Sequence, residues 1–185
     1  MPNKNKAKGN SAERELCSIF GDVFGETFIR VPNSGAYQGG LNNYRAQYLS
    51  ENQKQIMSND IIPPQCFPYC ALESKFYKDF EYHHLFRKEG NNTLNGWIDQ
   101  VEESGIDMNT AFPMICFKIN RKGWFCCVWY KNIFGMDFSN IQYFNYIYNN
   151  QKYIIFELDT FLKTFTKELR QKFQYGMNQD SSTAS

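Results

Sequence analysis

The chain has 185 residues, 42% of them hydrophobic and 17% aromatic, and carries a formal net charge of +1. That length and apolar content exclude a disordered chain and predict one compact domain with a real core. No window approaches the roughly 18 consecutive apolar residues of a membrane span, and the polar, basic residues 1–9 lack the apolar segment of a signal peptide. A soluble protein of the cytoplasm is therefore expected. The near-neutral total excludes any argument for nucleic acid from composition alone. Its distribution is uneven, however. Lys4, Lys6 and Lys8 precede the first acid, Glu13, and Arg14 and Arg30 follow. A local basic patch suffices for phosphate binding, although charge alone fits a solvated terminus as well.

In chain order, residues 10–24 read as a first helix. Asn10 and Ser11 suit its N-cap, Asn10 and Glu13 have capping-box spacing, and Gly25 supplies a stop. Leu16, Ile19, Phe20, Val23 and Phe24 form one apolar stripe. Residues 27–31 are a short strand candidate closed by the turn Pro32-Asn33-Ser34-Gly35. Residues 36–58 are loop-like at first, with room for a short helix in 44–57. A brief strand at 60–62, a break at Pro63-Pro64 and a second strand around 69–76 come next. After an irregular, mixed-charge stretch at 77–92, Leu94, Trp97, Ile98 and Val101 have helical spacing, ended by Gly105. Two hairpins are predicted, 114–119 with 124–130 and 141–148 with 153–158. A last helix, capped by Asp159 or Thr160, carries Phe161, Leu162, Phe165, Leu169 and Phe173. These elements predict an α/β fold with a mixed sheet flanked by helices. Residues 1–9 are expected as a flexible basic lead-in, 10–175 as a single domain, and 176–185 as a disordered tail.

The chemistry centres on Glu73-Ser74-Lys75. Alternate strand residues share a face, so Glu73 and Lys75 point one way and Cys70, Leu72 and Ser74 the other. The carboxylate suits a hard cation, and the ammonium suits a reacting water or a phosphate. Taken alone, such a triplet is more often a surface ion pair. Asp60, 13 positions earlier on a neighbouring strand, can face Glu73 at the separation a shared metal requires. As a residue following Ser58-Asn59 it equally suits a turn. Glu13 falls about 40° from the centre of the first helix's apolar stripe, whereas Glu15 falls about 120° away on the solvated side. A carboxylate turned toward the core needs a cationic partner, which a metal shared with Asp60 and Glu73 would supply. Glu13 also stands where a capping or dipole partner would.

Together Lys8-Gly9-x-x-x-Glu13-Arg14-Glu15-Leu16, Arg30 with Pro32-x-Ser34-Gly35, Asp60-Ile61-Ile62 and Glu73-x-Lys75 resemble the archaeal-type Holliday junction resolvases of the PD-(D/E)XK nuclease superfamily. The resemblance covers roughly residues 8–35, 59–76 and 94–130. It implies a restriction-endonuclease-like core and Mg²⁺, with Mn²⁺ as substitute, held by Glu13, Asp60 and Glu73. Lys75 would assist the attacking water. It implies phosphate contacts from Lys8, Arg14, Arg30 and Ser34, and a homodimer nicking a four-way DNA junction. The departures are insertions near 36–58 and 77–93, a hairpin and helix after 137 that extend past the compact core, and Asn59 where the motif often has Pro. They leave open a phage or mobile-element nuclease acting on other branched or linear DNA, and a non-catalytic DNA-binding module on the same scaffold. Tyr37, Tyr44, Tyr48, Phe76 and Tyr77 would then be base-stacking candidates or simple packing.

Six cysteines in a chain without a secretion signal read as buried thiols. Of Cys66-x3-Cys70, Cys126-Cys127 and His83-His84, only the first pair has nearly the spacing of structural zinc sites, which leaves core thiols the favoured reading. Adjacent strand residues such as Cys126 and Cys127 would face opposite sides. His83-His84 alone cannot reproduce the separated histidines of an HNH nuclease.

Overall fold

A computed structural model describes residues 4–31, 60–104, 106–107 and 109–177, with side chains from residue 9 onward. The Pro32–Gly35 turn, Ser34, the whole 36–58 segment with Tyr37, Tyr44 and Tyr48, the Gly105 stop and the tail from 178 lie outside the described residues. So does the side chain of Lys8.

The first helix, α1 (Lys4–Phe24), begins six residues earlier than the capping pattern predicts. Most of the expected basic lead-in therefore has helical backbone, and Asn10 is an interior residue whose side chain serves another purpose, described below. Ala12, Leu16, Phe20 and Phe24 recur every fourth residue and are all buried, which is the stripe a helix lays on a core. Gly25 ends the helix at φ +67°, its N–H donating to the Gly21 carbonyl at 2.8 Å. That left-handed residue suits glycine, which has no Cβ to oppose it.

Seven strands follow: β1 (Ile29–Arg30), β2 (Ile61–Ile62), β3 (Cys70–Tyr77), β4 (Phe112–Ile119), β5 (Gly123–Trp129), β6 (Tyr143–Tyr148) and β7 (Gln151–Glu157). They form one sheet in the order β1-β2-β3-β4-β5-β7-β6. Every pairing is antiparallel except β3 with β4. Parallel neighbours need a crossover, and α2 (Asn92–Glu103) provides it. Asn91 caps α2, its side chain accepting from the Leu94 N–H at 3.1 Å. Leu94, Trp97, Ile98 and Val101 are buried as their spacing predicts. The β6–β7 hairpin turns on Asn149 and Asn150, both at positive φ, the conformation whose twist matches that of two-residue hairpins.

Alternation along β4 and β5 builds two cores. Met114, Cys116, Cys126 and Val128 join the cluster under α1, α3 (Leu158–Thr164) and α4 (Thr166–Tyr175). Ile115, Phe117, Cys127 and Trp129 join the cluster under α2. Cys126 and Cys127 thus face opposite sides, and Cys70, Cys116, Cys126 and Cys127 are buried thiols. The architecture is the mixed sheet flanked by helices expected of a restriction-endonuclease-like core.

Three expectations are corrected. The last helix is two helices, broken at Phe165 (φ −112°, ψ 24°). Across the bend Phe165 packs on Phe161, and Leu169 and Phe173 beyond it are buried in the core. The segment after 137 does not lie outside the core either. β7 pairs directly with β5, and fully buried Phe173 packs its ring at an angle against those of Phe24, Phe67 and Phe112. The stretch 77–92, expected as irregular, holds a 3-10 turn over Tyr82–Phe86 and is anchored. Phe80 and Leu85 pack in the α2-side cluster. Tyr146 Oη accepts from the Asn91 N–H at 2.8 Å and donates to the Asn95 side chain. Among the described residues no helix is long and apolar enough to cross a membrane.

Candidate active site

Asp60 is fixed from two sides at the β2 end. Its carbonyl accepts from the Val31 N–H at 2.9 Å, and its Oδ2 accepts from the Ser74 N–H at 2.9 Å. Ile61 pairs with Leu72 in the antiparallel register, which sets Asp60 opposite Glu73. The two acids predicted to meet across neighbouring strands do meet. Glu73 is only 7% exposed. Burial, with Asp60's charge and carboxyl contact added, pushes its pKa up to about 7, against the pull of Lys75. Two carboxyls so close, one of them favouring its proton, form a site that a cation would relieve.

Lys75 shares the face of Glu73, as strand alternation predicts. Its Nζ donates to Glu73 Oε1 at 2.6 Å and to Gln100 Oε1 at 2.7 Å. Gln100, on α2, also donates from Nε2 to Glu73 Oε1 at 3.0 Å. The sequence reading missed this residue. Its only signal is position: it precedes buried Val101 on the helix that crosses over β3.

Glu13 has a cationic partner of its own. Arg30 forms an ion pair with it and also donates to Asn10 Oδ1 at 2.8 Å. Asn10 lies one turn before Glu13, the helical spacing that puts both beside one guanidinium. Burial raises the Glu13 pKa, the Arg30 hydrogen bond works against that rise, and Asp60's charge adds to it. Glu13 thus feels Asp60 electrostatically. The cationic partner that the sequence argument required for it is Arg30 in this structure, and Arg30 is correspondingly engaged. Among the described residues, the three ligand groups within 4.8 Å of one another belong to Glu81, His83 and His84, not to Glu13, Asp60 and Glu73. The structure brings together Asp60, Glu73 and Lys75, with Glu13 and Arg30 adjoining Asp60.

Arg14 is exposed on α1. Glu15, expected on the solvated side, is instead held by Lys118 Nζ at 2.7 Å and Trp124 Nε1 at 2.9 Å. Burial pushes its carboxyl up, but those hydrogen bonds outweigh burial and hold it below the usual range. Glu15 ties α1 to β4 and β5, a structural role that helix periodicity alone could not reveal.

A stability signature follows from Glu73. With the unfolded carboxyl near 4.5 and the folded one near 7, the folded protein holds the extra proton between those values. In metal-free protein this contribution is complete below 4.5 and is lost as pH rises to about 7, a fall of about 2–3 kcal/mol. Urea unfolding in EDTA across that range measures it, and Glu73→Gln should flatten the slope. An unchanged slope in that variant would assign the titration to another group.

The sequence matches the family described as "Phage putative PDDEXK endonuclease" over residues 4–172. It is also similar to Protein D14 of Escherichia phage T5, with 30% identity over 124 residues, 65% of this chain and 68% of that protein. No solved structure matches the chain. Because the family match runs from α1 through the whole sheet and into α4, the chain belongs to the phage PDDEXK endonuclease family.

Proposed function

We propose that this protein is a Mg²⁺-dependent DNA endonuclease that hydrolyses phosphodiester bonds in branched DNA, the four-way junction foremost, as a homodimer. The observation that carries the reading is the buried Glu73 carboxyl held between Asp60 and Lys75. The donor set is all oxygen, which fits Mg²⁺ or Mn²⁺. Asp60 and Glu73 would hold the ion, with Glu13 as the further ligand once Arg30 releases it to a phosphate. When bound, the ion would polarise the phosphoryl oxygen and lower the pKa of its water.

The protein's own groups do the rest. Lys75 places its Nζ beside Glu73, where its charge would offset that developing on the phosphate. Gln100 fixes the Lys75 and Glu73 side chains in one orientation and so limits their reorganisation on substrate binding. Arg14, Arg30, Lys8 and Ser34 are proposed as phosphate contacts that set the strand across the site. Arg30 has a second task, since its ion pair neutralises Glu13 before the cation arrives.

A comparison of DNA forms tests the substrate half of the proposal. At fixed salt and Mg²⁺, a four-way junction should be cut far faster than linear duplex of the same sequence. Equal rates would leave an endonuclease acting on other DNA and discard the junction preference. A chain that binds both but cuts neither would be the non-catalytic alternative.

A further inference from the structure

The connection from β3 to α2 holds a side-chain cluster that the nuclease centre does not use. A 3-10 turn runs over Tyr82–Phe86, and the His84 N–H donates to the Glu81 carbonyl at 2.9 Å. In such a turn residues i and i+3 eclipse, so Glu81 and His84 stand on one side, His84 Nδ1 lying 3.1 Å from Glu81 Oε2. The His83 ring is set edge-on to that of His84, with centroids 4.3 Å apart. One ligand atom from each of the three residues lies within 4.8 Å of the others. The backbone beneath is anchored by Phe80 and Leu85 in the α2-side core, so only the exposed Glu81 and His83 side chains remain to be ordered by a ligand.

We propose that Glu81, His83 and His84 bind one divalent cation of the zinc class, separate from the hard-cation site at Asp60 and Glu73. Two imidazoles with one carboxylate suit Zn²⁺, Ni²⁺ or Cu²⁺, whereas Mg²⁺ and Ca²⁺ favour oxygen donors alone. Three protein ligands leave a coordination position open to water. As zinc ligands these histidines were expected only beside Cys66, Cys70, Cys126 and Cys127, and the last three of those thiols are buried. The third ligand is an acid two residues before His83, invisible until the 3-10 turn is known. A cation here would fasten the segment joining the strand of Glu73 and Lys75 to the helix of Gln100, and so raise thermal stability.

The test uses EDTA-stripped, dialysed full-length protein carrying Asp60→Asn and Glu73→Gln, so that the nuclease centre cannot contribute. Calorimetric titration with Zn²⁺ alone should give one ion per chain and a raised thermal midpoint. Adding His83→Ala and His84→Ala should weaken binding ~10-fold or more and abolish the Zn²⁺-dependent rise, with the metal-free midpoint unchanged. Mg²⁺ should give no heat that depends on these histidines. Absence of stoichiometric Zn²⁺ binding, or binding that survives the histidine substitutions, overturns the proposal. Loss of binding in Cys66→Ser, with the histidines intact, would place the ion on the exposed thiol and overturn it equally. Because Asp60 and Glu73 are already removed, none of these results bears on the nuclease reading.

Discussion

Lys75→Ala is expected to slow DNA cleavage by about 10²–10³-fold, the usual loss when one preorganised charge donor is taken from a reacting centre. DNA affinity should stay within a few-fold of wild type, because the phosphate contacts proposed on α1 and β1 would dominate binding. The reason is geometric: Lys75 Nζ is held by Glu73 at 2.6 Å and by Gln100 at 2.7 Å. An arginine at this position should not restore the rate, since a planar fork cannot occupy the place of a compact ammonium. Glu73→Gln should lose cleavage to a similar or greater degree while making metal-free protein more stable near neutral pH. That opposite movement of activity and stability separates a functional acid from a structural one. Single-turnover rates, filter binding and urea unfolding on the same preparations decide the matter. Full cleavage by either variant would remove that side chain from the reaction.

Phe173→Ala is expected to destabilise the protein by about 3–5 kcal/mol, the range for deleting a buried aromatic ring. Phe173 is fully buried, with rings of Phe24, Phe67 and Phe112 at 5.4, 5.7 and 5.5 Å between centroids. Its carbonyl also accepts from the Tyr69 N–H at 3.1 Å, just before β3 begins. A domain of this size has only about 5–15 kcal/mol in total, so the variant should unfold early in urea and cut poorly at physiological temperature. Phe173→Leu, which keeps most of the volume, should cost markedly less. A midpoint shift in Phe173→Ala no larger than that of a surface substitution would show that α4 is not part of the core.

Helical and strand periodicity made much of this fold legible. The stripe from Leu16 to Phe24, the α2 positions 94, 97, 98 and 101, and both hairpins stand where their spacing puts them, because side-chain period is a local property of the backbone. Asp60 facing Glu73, and Lys75 beside it, follow from the same alternation. What periodicity could not supply were partners far apart in sequence. Arg30 against Glu13, Lys118 against Glu15 and Gln100 against Glu73 all depend on how elements pack. The start of α1 was misplaced because Asn10 has the composition of a cap, yet its side chain is drawn to Arg30 instead. The bend at Phe165 carries no Gly or Pro signal, and arises from where its ring must go.

Cleavage of supercoiled DNA by the purified chain, with Mg²⁺ and then with excess EDTA, tests most directly whether Asp60, Glu73 and Lys75 form a cation-dependent hydrolytic centre. The account predicts nicked and linear products with Mg²⁺, none in EDTA, and none with Mg²⁺ when Asp60→Asn is paired with Glu73→Gln. Cutting that continues in EDTA, or in the doubly substituted protein, would contradict it.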